Sequence, residues 1–391
     1  MPPDTPTALL PGRRDTGTST ARGSDYAALS RQVKQAGLLG RRPGYYTAKI
    51  ATNLVLVGAG WVGFVLLGDS WWQLAVAVFL GVMFTQCGFL AHDAGHKQIA
   101  RTRRASYLLG LLHGNLAIGL SYGWWIDKHN RHHAHPNDVD RDPDVGPGAV
   151  VFTASQARIR RGLGRWVCRW QAYLFFPMLL LEGLNLHLAS LRAVRRRTGR
   201  SRWVEGSLLA GHVGGYLTAL LLVLSPNRAL AFLVVQQAVF GLTMGCSFAP
   251  NHKGMPLLRA TDKVDYLRRQ VLTSRNVRGG RVVDFALGGL NYQIEHHLFP
   301  SMPRANLKAA QPLVQAFCNS HDIVYRNSSL LDSYTQALRH LHAVGAPLRT
   351  TPGHPGDTLV EAVQPEPVKD YPTSVSWPAG IAPLQQHDSA G

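Results

Sequence analysis

Three histidine clusters punctuate this 391-residue chain: His92-Asp-Ala-Gly-His96, His129-Asn-Arg-His132-His133 and Gln293-Ile-Glu-His296-His297. Residues three and four apart share a helix face, so His92 with His96, and His129 with His132 and His133, can aim their imidazoles at one point. His296 and His297 follow Gln293 with the same spacing. Neutral imidazole is a borderline ligand suited to Zn, Cu, Fe and Ni. Seven of the chain's 17 histidines lie in these clusters, more than one ion can bind, which favours two metals.

The rest of the composition narrows the metal chemistry. Redox-inert zinc fits poorly, because the chain has no HExxH and neither a finger nor a deaminase pattern of His and Cys. Its four cysteines, Cys87, Cys168, Cys246 and Cys318, lie more than 70 residues apart and form no CxxC pair, so neither a disulfide framework nor a thiolate site is expected. Soluble di-iron bundles use four carboxylates and two Glu-x-x-His pairs. Here the only glutamates are Glu182, Glu205, Glu295, Glu361 and Glu366, and none begins a Glu-x-x-His. What remains is a histidine-rich site at a membrane surface.

The membrane enters through the elements that must carry the clusters. Apolar runs cover roughly residues 48–68, 71–91, 105–122, 171–188, 207–224 and 229–250. Crossing a bilayer takes about 20 apolar residues. Short connectors at Asp69-Ser70 and Ser225-Pro226-Asn227-Arg228 read as hairpin turns. The run 105–122 carries His113, Asn115 and Ser121, and 171–188 carries Glu182, Asn185 and His187, so both read as re-entrant or interfacial. The fold expected is therefore all-α: four transmembrane helices in two hairpins, interfacial helices, and a helical cap formed partly by amphipathic segments between Ser301 and Val344. With a cytoplasmic N-terminus, four crossings bring all three clusters to the cytoplasmic side. Residues 1–42 are expected to be a flexible polar N-terminus, 43–345 the membrane-embedded domain and 346–391 a flexible Pro/Gly-rich tail.

The formal charge of +18 and pI of about 10.2 first suggest nucleic acid. The location of the charge argues instead for anionic membrane lipids. Arg158 to Arg169 and Arg192 to Arg202 are basic blocks beside apolar segments, as the positive-inside bias expects, and no nucleic-acid fold signature accompanies them.

The three clusters, in this order and each after an apolar segment, resemble the histidine boxes of the integral-membrane fatty acid desaturase family. The resemblance covers roughly residues 45–344. The glutamine heading the third box, and the stretch Gly289-Leu-Asn-Tyr-Gln-Ile-Glu-His-His-Leu-Phe-Pro-Ser-Met-Pro-Arg304, are similar to the front-end and acyl-lipid branch. What the resemblance implies is a centre of two Fe ions that activates O2 and inserts a double bond into an acyl chain of a lipid or acyl thioester. It also implies a further ligand histidine after the last spanning helix, for which His252 in Asn251-His252-Lys253 is the match. The expected metal ligands are thus His92, His96, His129, His132, His133, His252, His296 and His297, and all but His252 are also expected to be catalytic. Gln293, Asn251, Asp93 and Glu295 are expected to support them from behind. No flavin, haem or iron-sulfur motif is present, so an external electron donor of ferredoxin or cytochrome b5 type is implied.

Other polar residues receive plainer readings. Asp138, Asp140, Asp142 and Asp144 read as a solvated loop, with Asp138 the one candidate partner for a ligand. His135 reads equally as a supporting group or as surface. His113, His187 and His212 are isolated in apolar runs and read as packing. Trp124 and Trp125, with Trp71 and Trp72, read as an interfacial belt. His354 in His-Pro-Gly-Asp resembles the haem-binding HPGG of cytochrome b5 domains but lacks its last glycine, and the tail is too short and Pro-rich for such a domain. Two rivals stand beside desaturation: a hydroxylase or ketolase on the same centre, and a metal-binding membrane transporter, which would place its ionisable groups nearer mid-membrane.

Overall fold

The computed structural model describes residues 24–349. The N-terminal stretch before residue 24, the tail from residue 350 and His354 lie outside the described residues. Within the segment expected to be flexible, residues Asp25–Gln35 form a helix, α1, capped by Ser24.

Among the described residues, four helices are long and apolar enough to cross a membrane: α2 (Pro43–Leu67), α3 (Gln73–Gly95), α9 (Gly199–Val223) and α10 (Pro226–His252). They form the two expected hairpins. Gly68 turns the first at a φ of 57°, a left-handed conformation that glycine adopts without Cβ strain. There the Gln73 amide donates to the Phe64 and Gly68 carbonyls at 2.6 and 2.8 Å, satisfying a helix end that lipid could not. The two turns are tied together. The Ser225 amide donates to Asp69 at 2.9 Å, and Arg228 pairs with the same carboxylate.

Between those hairpins lie α4 (Arg103–Gly110), a π-helical turn (Leu111–Leu116), α5 (Tyr122–Ala134), α6 (Ala154–Arg158), α7 (Gly162–Leu179) and α8 (Glu182–Arg196). Helix α4 and the π turn together supply about 21 Å of helix, too little to span. The run 105–122 therefore holds no helix of spanning length, in keeping with the polar residues it carries. Helices α7 and α8 are long and apolar enough to span only as a pair, and an 84° bend divides them.

α3 sits at the centre and packs most extensively on α10. Close approach explains the small residues there: a Cβ on Gly81 would lie 3.0 Å from the Gln236 carbonyl. The buried centre of the bundle is aromatic, with Phe64, Phe84, Phe232 and Phe240 fully enclosed. Outward faces of α2 and α9 expose leucines, Leu66 and Leu222 each at 81%, as lipid-facing surfaces do.

At the end of the bundle that carries the histidines a cap is built from α11 (Tyr266–Leu272), β1 (Asn276–Arg278), α12 (Arg281–Ala286), α13 (Gln293–Leu298), α14 (Arg304–Ser320), β2 (Asn327–Ser329) and α15 (Leu330–Gly345). The strands pair in parallel, Asn276 opposite Asn327. Leu29 and Val33 of α1 join Leu267, Ile294, Leu298, Leu307 and Val314 in a second core. α1 thereby closes the back of α13, with the Tyr26 hydroxyl donating to the Leu298 carbonyl at 3.1 Å.

Candidate metal centre

The C-terminal ends of α3 and α10 point the same way and deliver histidines to one place. His92 and His96 come from α3, His252 from the last residue of α10. α5 and α13 cross beside them. His129 and His133, four apart on α5, face the α3 pair, while His132 faces the other way. Adjacent His296 and His297 on α13 diverge similarly, their rings at 88°.

Two groups result, each with its ring nitrogens within 4.8 Å of one another: His92, His96, His129, His133 and His296; and His132, His252 and His297. All eight side chains are buried. The contacts fit ligand edges better than hydrogen bonds. His96 Nε2 lies 2.9 Å from His129 Nε2, which lies 3.0 Å from His133 Nε2, and His132 Nε2 lies 3.3 Å from His252 Nε2. Metal–nitrogen bonds of about 2.1 Å give edges of about 3.0 to 3.4 Å at octahedral to tetrahedral angles. Further, His92 Nε2, both nitrogens of His296 and His297 Nε2 are buried without a hydrogen-bond partner, a costly arrangement unless a cation accepts them.

Electrostatics agree. Burial and the neighbouring imidazoles hold His96, His129, His133, His296 and His297 well below the usual histidine pKa, in the neutral form a metal requires. His132 differs. Burial pulls it down, but Asp142 and Asp144 outweigh that and its pKa is raised.

Several imidazoles are oriented from behind, which fixes the tautomer and leaves Nε2 free. His92 Nδ1 meets Asp93 at 3.2 Å, and Asp93 is paired at 2.5 Å with the buried Arg304, which also donates to the Phe89 carbonyl. His132 Nδ1 donates to Asp142 at 2.9 Å, His252 Nδ1 to the Thr273 carbonyl at 3.0 Å, and His297 Nδ1 to Gln270 at 2.9 Å. Gln270 in turn donates to the His133 carbonyl, and Asn137, with a φ of 56°, gives its amide to Asp142.

Asp142, Gln270, Thr273 and Asn137 did not stand out in the sequence. The expected solvated loop folds inward in part: Asp140 is exposed, but Asp142 is buried and grips a histidine, whereas Asp138, also buried, faces Arg269 at 4.0 Å and touches no ligand candidate. His135 likewise accepts from Arg269. Gln293 and Asn251 border the three-histidine group, the Gln293 amide 2.9 Å from His252 Nε2 and the Asn251 amide 3.4 Å from Gln293. Glu295 turns away. Roughly 100° around α13 from His296, it accepts from Asn276 and Tyr325 at 2.7 Å each, and burial pushes its pKa up to about 7.

Trp125 is no belt residue. Its ring stacks on His129 at 4.5 Å and stands edge-on to His92 at 5.4 Å. This explains Gly95 in the first box, since a Cβ there would lie 2.8 Å from the indole. His113 and His212 bond backbone carbonyls, His187 meets Gln237 at 3.5 Å, and none of the three joins either group.

With this geometry in hand, comparison with known proteins is specific. The profile described as Fatty acid desaturase matches residues 69–329. The chain is similar to the acyl-lipid (9-3)-desaturase of Physcomitrium patens, 29% identical over 315 residues, which cover 77% of this chain and 58% of the moss protein. It is 31% identical over 332 residues to a Delta(8)-fatty-acid desaturase of Euglena gracilis, covering 81% of this chain and 78% of that one. A Delta(6)-fatty-acid desaturase of Caenorhabditis elegans is 27% identical over 330 residues, with 81% and 74% covered. The matched region contains all three histidine clusters and His252, and the chain belongs to the fatty acid desaturase family of membrane oxidoreductases.

Proposed function

We propose that this protein is an O2-dependent acyl desaturase that holds two iron ions, one in each histidine group. The observation that carries the reading is that α5 and α13 each feed both groups, so two metals would be held as a pair rather than as separate sites. His92, His96, His129, His133 and His296 would hold one ion, and His132, His252 and His297 the other. When bound, such a pair supplies the O2-derived oxidant that removing hydrogen from an unactivated methylene demands, since no side chain is strong enough. The overall balance is one CH2–CH2 unit, O2, two electrons and two protons to one CH=CH unit and two waters.

The chain's own residues supply position. Asp93, Asp142, the Thr273 carbonyl and Gln270 keep four Nδ1 protons in place, so that Nε2 faces inward. Trp125 covers His129 and His92 and keeps water from that side. The apolar bundle holds the hydrocarbon of a fatty acyl lipid or acyl thioester, and the relatives' names support a lipid substrate. Electrons come from a separate carrier of ferredoxin or cytochrome b5 type. The basic stretch from Lys97 to Arg104 follows directly on the first box, and the positive-inside bias puts that end of the bundle, with the metal centre, on the cytoplasmic side.

The test is gas chromatography with mass spectrometry of fatty acids from a host expressing the wild type or His132→Ala. A new unsaturated acid with the wild type alone is the expected result. A hydroxylated acid would replace desaturation with oxygen insertion at the same centre.

A further inference from the structure

We infer that Glu205, in the spanning helix α9, is a positioning residue for the second histidine box. Ionisable residues inside spanning helices are costly and need partners. Glu205 is fully buried just inside the start of α9 and has four. Its Oε2 accepts from the Ser121 hydroxyl at 2.6 Å, the Gly123 amide at 3.3 Å and the Asn115 side chain at 3.4 Å, and its Oε1 pairs with Arg197 at 2.8 Å.

Those partners are all at the root of α5. Ser121 is its N-cap, giving its hydroxyl oxygen to the Trp124 amide at 3.2 Å, so the carboxylate sits at the positive end of the helix. Asn115, in the π turn, accepts from the Tyr122 amide at 3.0 Å. Arg197, at the end of α8, reaches over with its other nitrogen to Asp127 on the second turn of α5, at 3.0 Å. Ser190 of α8 accepts the Ser121 amide at 3.0 Å. Three separate elements, the π turn, α5 and α8, therefore converge on the one carboxylate of α9. A side chain on Gly123 would collide with both the Arg197 guanidinium and the Glu205 carboxylate, so it would have to displace that ion pair from the start of α5.

The consequence follows from which histidines α5 carries. His129 and His133 belong to one group and His132 to the other, so a small rotation or slide of α5 disturbs both at once. Trp125, two residues after Gly123, transmits the placement directly through its stack on His129. Glu205 touches no histidine of either group; it acts through the helix.

The inference rests on reading the α5 histidines as ligands. The test is iron per chain and the rate of iron release to a chelator for detergent-purified wild type, Glu205→Gln, Glu205→Asp and Gly123→Ala, with helix content followed by circular dichroism. Glu205→Gln should release iron roughly tenfold faster at unchanged helix content, with Glu205→Asp between it and wild type. Gly123→Ala should do the same while keeping both charges. Release within twofold of wild type in Glu205→Gln or Gly123→Ala overturns the inference, as does faster release accompanied by loss of helix. A wild type without iron overturns the ligand assignment itself, and this inference with it.

Discussion

The two histidine groups are built on different principles. In the three-imidazole group every ring has its Nδ1 held by the protein, through Asp142, the Thr273 carbonyl and Gln270. In the five-imidazole group, among the described residues, only His92 has such a partner, Asp93. The other four are oriented by one another and by Trp125, with ring centroids 4.5 to 4.9 Å apart for the His96, His129 and His133 set. A site with few donors needs each one fixed from outside. A site with many can be held by the packing of the donors themselves.

On the two-metal reading proposed above, that contrast should make the larger group the more tolerant of losing a ligand and the smaller one the more fragile. Removing a donor from the three, by His252→Ala, should leave one iron per chain and lower turnover by roughly a hundredfold or more, beyond the range for an outer partner. His96→Ala leaves four imidazoles and should keep two irons per chain, with a smaller loss of turnover. Equal iron loss in the two variants, measured by elemental analysis, would break the comparison.

The supporting groups should follow the same order. Asp142→Asn replaces a charged acceptor with a neutral one behind His132 and should weaken metal retention or activity roughly 10- to 100-fold. Competition with a chelator measures this. Trp125→Phe shrinks the stacked ring on His129 and should cost a few-fold in turnover, by about 1 kcal/mol of lost aromatic contact. The smallest effect should come from Glu295→Gln. This acid lies inside the third box, yet it bonds only Asn276 and Tyr325, and burial already favours its neutral form. Activity within twofold of wild type is expected, and a loss matching that of Asp142→Asn would show that proximity in sequence to a histidine outweighs contact.

Those two acids also mark what the sequence could and could not disclose. The spanning hairpins and the i, i+4 histidine pairs were legible because both are local: apolar length and helix periodicity need no distant partner. His252 was legible only through resemblance. Asp142 was read as solvated because an acidic loop of Asp138 to Asp144 carries no local sign of folding inward; its burial depends on Asn137 taking a positive φ and tying to the His252 and Pro256 carbonyls. Gln270 and Thr273 come from a helix that shows nothing unusual in isolation. Trp125 looked like a belt residue because a tryptophan near an apolar run usually is; its stack on His129 is an i, i+4 contact within α5, and only the packing of α3 against α5 brings it beside His92. Glu205 was merely one of five glutamates until the fold placed it beneath Ser121 and Gly123.

In the reading proposed above, two adjacent, all-histidine groups hold a metal pair. That reading is tested most directly by elemental analysis and X-ray absorption on the purified wild type. Two irons per chain in a shell dominated by imidazole nitrogen is the predicted result. A single metal per chain, or a shell containing sulfur, would contradict it.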